Sequence, residues 1–233
     1  MRNKEFEPWI GIIREQAETN GYHEGIEDYM GKNERREALL LHSCCGPCSS
    51  SVIERLVSRY DVTVFFYNPN IYDNEEYERR LEDQISFIRR FNRNRKAGET
   101  EKGVLTFYKV ELLLGDYKPE EFYGVAKGLE NEPEGGQRCV ECFRLRLEKT
   151  AQMAKKSGFP IFATTLAVSP HKNYDLITEI GRYLGAKYNI EYLAEDFKKN
   201  NGYLRSIELS KEYNLYRQRY CGCIYSKGKK ENK

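Results

Sequence analysis

Apolar residues along this chain alternate between two rhythms. Short runs such as Leu39-Leu40-Leu41-His42-Ser43 read as buried strands, whereas spacings such as Val52, Ile53, Leu56 and Val57 read as one face of a helix, here opened by Ser49-Ser50-Ser51. Val62 to Tyr67 makes a second buried strand closed by Asn68-Pro69-Asn70, and Tyr77, Leu81, Ile85 and Ile88 mark a helix from Glu75 to about Arg93. Leu105 to Val110 reads as a third strand, Glu120 to Gly128 as a short helix, and Cys139 to Lys156 as a longer one carrying Leu145, Leu147 and Met153. Ile161 to Leu166 is a fourth strand, Tyr174 to Leu184 a helix, Ile190 to Leu193 a fifth strand, and Gly202 to Tyr216 a last helix. Ahead of these, Phe6, Trp9, Ile10, Ile13 and Ala17 recur at helical spacing before an Asn20-Gly21 stop, so residues 1–37 read as an N-terminal helical arm. Residues 38–226 then form the main domain, and the lysine-rich stretch 227–233 a solvated tail.

Strands separated by helices predict an α/β fold: a Rossmann-like, doubly wound parallel sheet of about five strands with helices on both faces. Ligands of such sheets bind beyond the carboxyl ends of the strands, where the strand order reverses. With the order 3-2-1-4-5, the loops after strands one and four flank that crevice.

A chain of 233 residues suffices for one large domain with a real core. Lys plus Arg is 38 against 36 for Asp plus Glu, a formal net charge of +2, so nucleic-acid contact has to come from local basic patches. The opening Met-Arg-Asn-Lys-Glu-Phe-Glu has no apolar signal core, and no run approaches the roughly 18 apolar residues of a membrane span. A cytoplasmic protein without a membrane partner is expected. In that reducing compartment disulfides do not persist as staples, and closely spaced cysteines read as metal-binding or catalytic.

Cysteine placement then dominates the chemistry. All seven lie in three tight groups: Cys44, Cys45 and Cys48 in Ser-Cys-Cys-Gly-Pro-Cys, Cys139 and Cys142 in Cys-Val-Glu-Cys, and Cys221 and Cys223 in Cys-Gly-Cys. Gly46 and Pro47 make the turn that lets Cys44 and Cys45 approach one site, and Cys48 at a helix start has its thiolate favoured by the positive dipole end. Cys139 and Cys142, three apart on a helix, form a two-thiolate claw. One reading is a structural zinc bound by four thiolates. The other is iron chemistry: a [4Fe-4S] cluster takes four thiolates and leaves three for a second redox-active element, with Cys221 and Cys223 able to form a strained, labile disulfide.

Four ordered motifs carry a family resemblance: Leu-His-Ser-Cys-Cys-Gly-Pro-Cys, the Cys-x-x-Cys followed by Phe-Arg-Leu-Arg-Leu, Ala-Thr-Thr-Leu-Ala-Val-Ser-Pro-His-Lys-Asn, and Tyr-Cys-Gly-Cys-Ile-Tyr-Ser. From about Leu39 to Ser226 the chain resembles the QueH-type epoxyqueuosine reductases. The resemblance implies an adenine-nucleotide-hydrolase-like α/β fold and a cobalamin-independent enzyme that converts epoxyqueuosine to queuosine at the tRNA wobble position. It further implies that Cys44, Cys45, Cys139 and Cys142 hold a [4Fe-4S] cluster, while Cys221 and Cys223 form a redox-active pair or help bind an additional mononuclear iron. Cys48 lies near that site as a further metal-ligand candidate, but some relatives have an acidic residue in its place, an exchange that would change a second iron's charge distribution and softness.

Turning an epoxide into an alkene consumes two electrons and two protons and releases water, so a low-potential electron store is expected, together with an electron-donor partner the sequence does not identify. Cys221, Cys223, Cys48 and His171 are the catalytic candidates, with Tyr174 and Tyr225 as further proton donors. Asn173 and Asp175 read as helix caps ahead of substrate contacts, and Thr164 and Thr165 end a central strand facing the crevice. Arg89-Arg90, Arg93, Arg95-Lys96 and Lys198-Lys199 are candidate phosphate contacts on tRNA, and Tyr72, Tyr203 and Tyr220 candidate stacking platforms. Two rivals remain at this level: an ATP-dependent, cluster-containing tRNA-thiolating enzyme, and a zinc or iron-sulfur regulator that binds nucleic acid without turnover. Against the first, Cys-Cys-Gly-Pro replaces a glycine-rich phosphate loop, and Pro47 removes an amide donor.

Overall fold

The structure is a computed structural model that describes residues 36–94, 98–99, 105–106 and 109–227. The helix expected at the N-terminus lies outside these residues except for its last two positions, and Glu37 already pairs as the first residue of a strand. Five parallel strands form one sheet: β1 (Glu37–Ser43), β2 (Tyr60–Phe66), β5 (Glu111–Leu114), β6 (Ile161–Thr164) and β7 (Glu191–Tyr192), in the order β5-β2-β1-β6-β7. This is the expected 3-2-1-4-5 order with one member replaced. Residues 105–110 do not supply the third sheet strand; β4 (Leu105–Thr106) pairs antiparallel with β3 (Gly98–Glu99) in a separate ladder, and Glu111–Leu114 takes the edge beside β2. Asn92 explains why Val110 stays out of the ladder, because its side-chain amide donates to the Val110 carbonyl (2.9 Å) and accepts from the Val110 amide (3.0 Å).

The helices are α1 (Gly46–Leu56), α2 (Asn74–Asn94), α3 (Pro119–Ala126), α4 (Gln137–Lys156), α5 (Tyr174–Tyr188), α6 (Gly202–Glu212) and α7 (Ile224–Lys227). Alternation along β1 sorts them between the two faces. Leu39 and Leu41 pack with Val52 and Ile53 of α1, Phe87 and Phe91 of α2 and Leu209 of α6, whereas Leu40 packs with Phe143 and Leu147 of α4 and Ile177 and Leu184 of α5. The fourth strand stops at Thr164, because Thr164 Oγ1 accepts from the Leu166 amide at 3.1 Å and Thr165–Val168 winds into a 3₁₀ turn. Strand order reverses between β1 and β6, so the crevice falls where β1 runs into Cys44 and β6 into that turn. Lys227 belongs to α7 and pairs with Asp73 at 3.8 Å rather than to a free tail; residues 228–233 lie outside the described chain. Among the described residues no helix is long and apolar enough to cross a membrane.

Candidate metal centre

β1 delivers Cys44 and Cys45 off its carboxyl end, and the chain turns at once into α1, with Cys45 as its extended N-cap (φ −178°, ψ 160°) and Pro47 in the first turn. The helix starts at Gly46, three residues before the serine run from which it is expected. Glycine leaves room there for the Asp83 carboxylate of α2, which a Cβ would displace from its place beside the Tyr216 amide. Cys48 therefore lands in the first helical turn, and the sulfurs of Cys44, Cys45 and Cys48 lie within 4.8 Å of one another. Cys44 and Cys45 are buried and Cys48 is half-buried. Three soft donors converging on one point fit a thiophilic metal or an iron-sulfur cluster.

The second group opens α4, with Cys139 in its first turn and accepting from the Gly135 amide at 3.2 Å. Cys142, one turn on, is buried with Cys223 against Phe122 and Ala126 of α3. Gly222 sits at φ 106°, a backbone shape that glycine adopts without strain, and this turns Cys223 inward while Cys221 faces the crevice. Burial first pushes the Cys142 thiol up to about 12, with Arg146 acting against the rise and Cys221, Cys223 and Cys139 adding to it. Cysteines far apart in sequence thus share one electrostatic environment.

A cavity of ≈190 Å³ joins the first and third groups, with Cys44, Cys48 and Cys221 in its wall together with Arg80, Arg146, Lys172, Arg217 and Arg219 and a single carboxylate, Glu134. A larger hollow of ≈470 Å³ at the amino ends of β1 and β2, lined by Arg36, Asp61, Lys109 and Glu111, has no thiol in its wall and lies at the wrong end of the sheet for the chemistry. Hydrogen bonds from the Cys45 and Cys48 thiols pull Cys44 well below the usual thiol range, with Lys172 and Arg146 assisting, and the same sharing pushes Cys45 well up and Cys48 up to about 12. At the helix start Cys48 is thus raised rather than lowered, its hydrogen bond with Cys44 being the largest cause. Gln218 closes the triad from the C-terminal segment, donating through Nε2 to Cys45 Sγ at 2.9 Å.

That segment is held by α2. Arg80, 1% exposed, pairs with Glu76 at 2.6 Å and donates to the carbonyls of Cys221 (3.1 Å) and Tyr220 (3.2 Å). Tyr216 adds two ties, its hydroxyl donating to Glu76 at 3.0 Å and its amide to Asp83 at 2.8 Å. On the sheet itself, His42 is fully buried, and burial first, then the nearby Arg146 charge, lowers it to about 3. Its ring is neutral, with a fixed tautomer: Nε2 lies 3.2 Å from the Tyr67 carbonyl, which can only accept, so Nδ1 accepts from the Thr164 hydroxyl at 2.9 Å.

Several residues singled out from sequence reach the cavity and others do not. His171 is exposed at its mouth, while Lys172, not singled out, is the half-buried neighbour inside. Burial works against the Lys172 ammonium, but the Cys221, Cys44 and Cys48 thiols outweigh it and hold its pKa up. Tyr174 is committed elsewhere, its hydroxyl donating to the Ala194 carbonyl at 3.1 Å, and Tyr225 packs against Phe122 under the Arg138 guanidinium. Asn173 caps α5, accepting from the Leu176 amide at 3.2 Å, and Asp175 follows in its first turn. Thr165 Oγ1 lies 3.9 Å from Cys44 Sγ, at the crevice. Tyr203 and Tyr220 line the cavity; Tyr72 instead lies under Lys227. Arg89, Arg90 and Arg93 sit on α2 outside the cavity wall, Lys198 donates to the Lys172 carbonyl at 3.4 Å, Lys199 is exposed, and Arg95 and Lys96 lie outside the described residues. Arg146 was legible in principle: Cys139, Cys142 and Arg146 fall at i, i+3 and i+7, one face of α4.

A family model described as epoxyqueuosine reductase QueH matches residues 39–229. The epoxyqueuosine reductase QueH of Streptococcus pyogenes is 46% identical over 84% of this chain and 72% of its own, and that of Staphylococcus epidermidis 43% identical over 82% and 76%. The Staphylococcus aureus protein of the same name is 37% identical over 94% of this chain and 88% of its own.

Proposed function

Because this chain belongs to the QueH family of epoxyqueuosine reductases, we propose that it reduces epoxyqueuosine at the wobble position of tRNA to queuosine, without cobalamin. It is an oxidoreductase of tRNA queuosine biosynthesis. The observation that carries the reading is the compact Cys44, Cys45 and Cys48 triad beside a basic cavity at the strand ends, with Cys221 in the same wall and Arg146 there feeling the Cys139 and Cys142 thiols. The donor set fits the group that the chemistry requires: clustered soft sulfurs, mostly buried, with cations around them. By the resemblance, Cys44, Cys45, Cys139 and Cys142 would hold a [4Fe-4S] cluster, which would supply low-potential electrons. Cys48, Cys221 and Cys223 are then free to hold an additional mononuclear iron, or the last two to act as a dithiol.

The remaining work falls to this chain's own groups. Both epoxide C–O bonds break, the carbons take two electrons to form the alkene, and the oxygen leaves as water with two protons. Lys172 holds a proton inside the cavity, and His171 at the mouth connects it to solvent. Arg217 and Arg219 at the rim meet backbone phosphates, while Tyr203 and Tyr220 provide aromatic walls for a base splayed out of the anticodon loop. The electron donor is a separate protein or reductant.

The test is anaerobic reconstitution with iron and sulfide, followed by incubation with epoxyqueuosine-containing tRNA and a strong reductant. Mass analysis of the nucleosides should register loss of one oxygen. Cys139→Ala and Cys142→Ala should abolish both the visible absorbance and the conversion. A protein that binds about one zinc and neither iron nor sulfide would refute the proposal in favour of a structural-metal regulator.

A further inference from the structure

Arg146 is a cavity residue whose burial its protein partners explain poorly. It follows Cys142 by one turn of α4 and is only 1% exposed. Its Nε donates to the Cys142 carbonyl at a long 3.4 Å, its Cζ lies 5.9 Å from the Phe143 ring centroid, and its Nη2 has no hydrogen-bond partner among the described residues. Arg80, equally buried across the cavity, has the Glu76 carboxylate at 2.6 Å. For Arg146 the negative groups that act most strongly are all thiols: Cys142, Cys221, Cys44 and Cys139. Those four span all three cysteine groups. Burying a guanidinium without an anion is strongly unfavourable, so negative charge borne on sulfur has to be its counterpart.

We propose that Arg146 is the internal counter-cation of the sulfur-ligated centre, a positioning and potential-setting residue. The inference rests on the iron-sulfur reading above and extends it. A fixed positive charge stabilises the more negative, reduced form of any centre it faces. Arg146 therefore raises the reduction potential, and its orphan Nη2 supplies a hydrogen bond to sulfur.

The experiment compares reconstituted wild type, Arg146→Lys and Arg146→Met in an anaerobic redox titration followed by absorbance and electron paramagnetic resonance, with iron and sulfide assayed on the same samples. Arg146→Met should shift the one-electron equilibrium toward the oxidised form at least tenfold, about 59 mV more negative, while Arg146→Lys stays close to wild type. If Arg146→Met fails to load, iron and sulfide content becomes the readout: retention by Arg146→Lys supports the counter-cation, and equal loss from both variants overturns it. An unshifted potential in Arg146→Met with full loading also overturns it. Wild type that takes up no iron sinks the iron-sulfur reading itself, a different failure from an unshifted variant.

Discussion

Replacing Arg80 with methionine should release the segment that brings Gln218 and Cys221 to the cavity. The Arg80–Glu76 pair is an i,i+4 contact, 1% and 9% exposed, so solvent screens it little. Removing one member of such a pair costs about 3–5 kcal/mol, because the remaining charge stays buried. Glu76 would keep only the Tyr216 hydroxyl, and the Tyr220 and Cys221 carbonyls would each lose a donor. Combining Arg80→Met with Glu76→Gln removes the orphaned charge and should recover about 2 kcal/mol, a coupling of the size such cycles report. Urea denaturation of the reduced, metal-free protein reads the global loss. Hydrogen exchange reads the local one, with amides 218–223 expected to lose protection well before those of β1 and β2. A loss below about 1 kcal/mol with unchanged exchange at 218–223 would show that Arg80 does not fasten this segment.

Three other expectations concern separate features. His42 is neutral in the folded protein down to about pH 3, against 6.5 unfolded, so over that window only the unfolded chain binds the proton and stability falls as the pH drops. At pH 4.5 this loss is about 2–3 kcal/mol, and His42→Gln should flatten that part of the curve in urea titrations; an unchanged slope would remove His42 from the account. Gly222→Ala should cost about 1–3 kcal/mol, since φ is 106° and the new Cβ would meet Ile71 Cγ1 at 2.9 Å and Arg80 Nη1 at 3.0 Å, so an unshifted thermal midpoint would contradict the turn described. Log kcat/KM on tRNA should fall linearly with log salt, and Arg219→Ala should make the slope shallower by about 0.7; identical slopes would place the phosphates elsewhere.

Much of this architecture was legible because burial on both faces leaves a direct trace in a parallel sheet. Leu39-Leu40-Leu41 and Val62 to Tyr67 read as continuous apolar runs and are adjacent central strands. The edge strand was misplaced for the converse reason. Glu111–Leu114 has one neighbour and is at most half-buried, so its leucines carry no clear periodicity, while the Leu105 to Val110 run looks more strand-like. Cysteine spacing pointed to metal chemistry, and the resemblance to known reductases pointed to its substrate. Neither revealed which sulfurs lie nearest: the compact triad is Cys44, Cys45 and Cys48, with Cys142 packed beside Cys223.

By itself the sequence determined the order of strands and helices, the existence of three thiol groups and their places at element ends, since these depend on local pattern. Only the tertiary structure decided which charges those thiols face. Lys172 looks in sequence like any solvated cation, Arg146 is marked there only by sharing a helix face with Cys139 and Cys142, and His171 looks more reactive than Lys172. Packing α4 against β1 and folding residues 216–223 over α2 put Arg146 and Lys172 beside sulfur, and left His171 at the mouth. Electrostatic environment is a sum over distances in space, and a linear chain does not contain those distances.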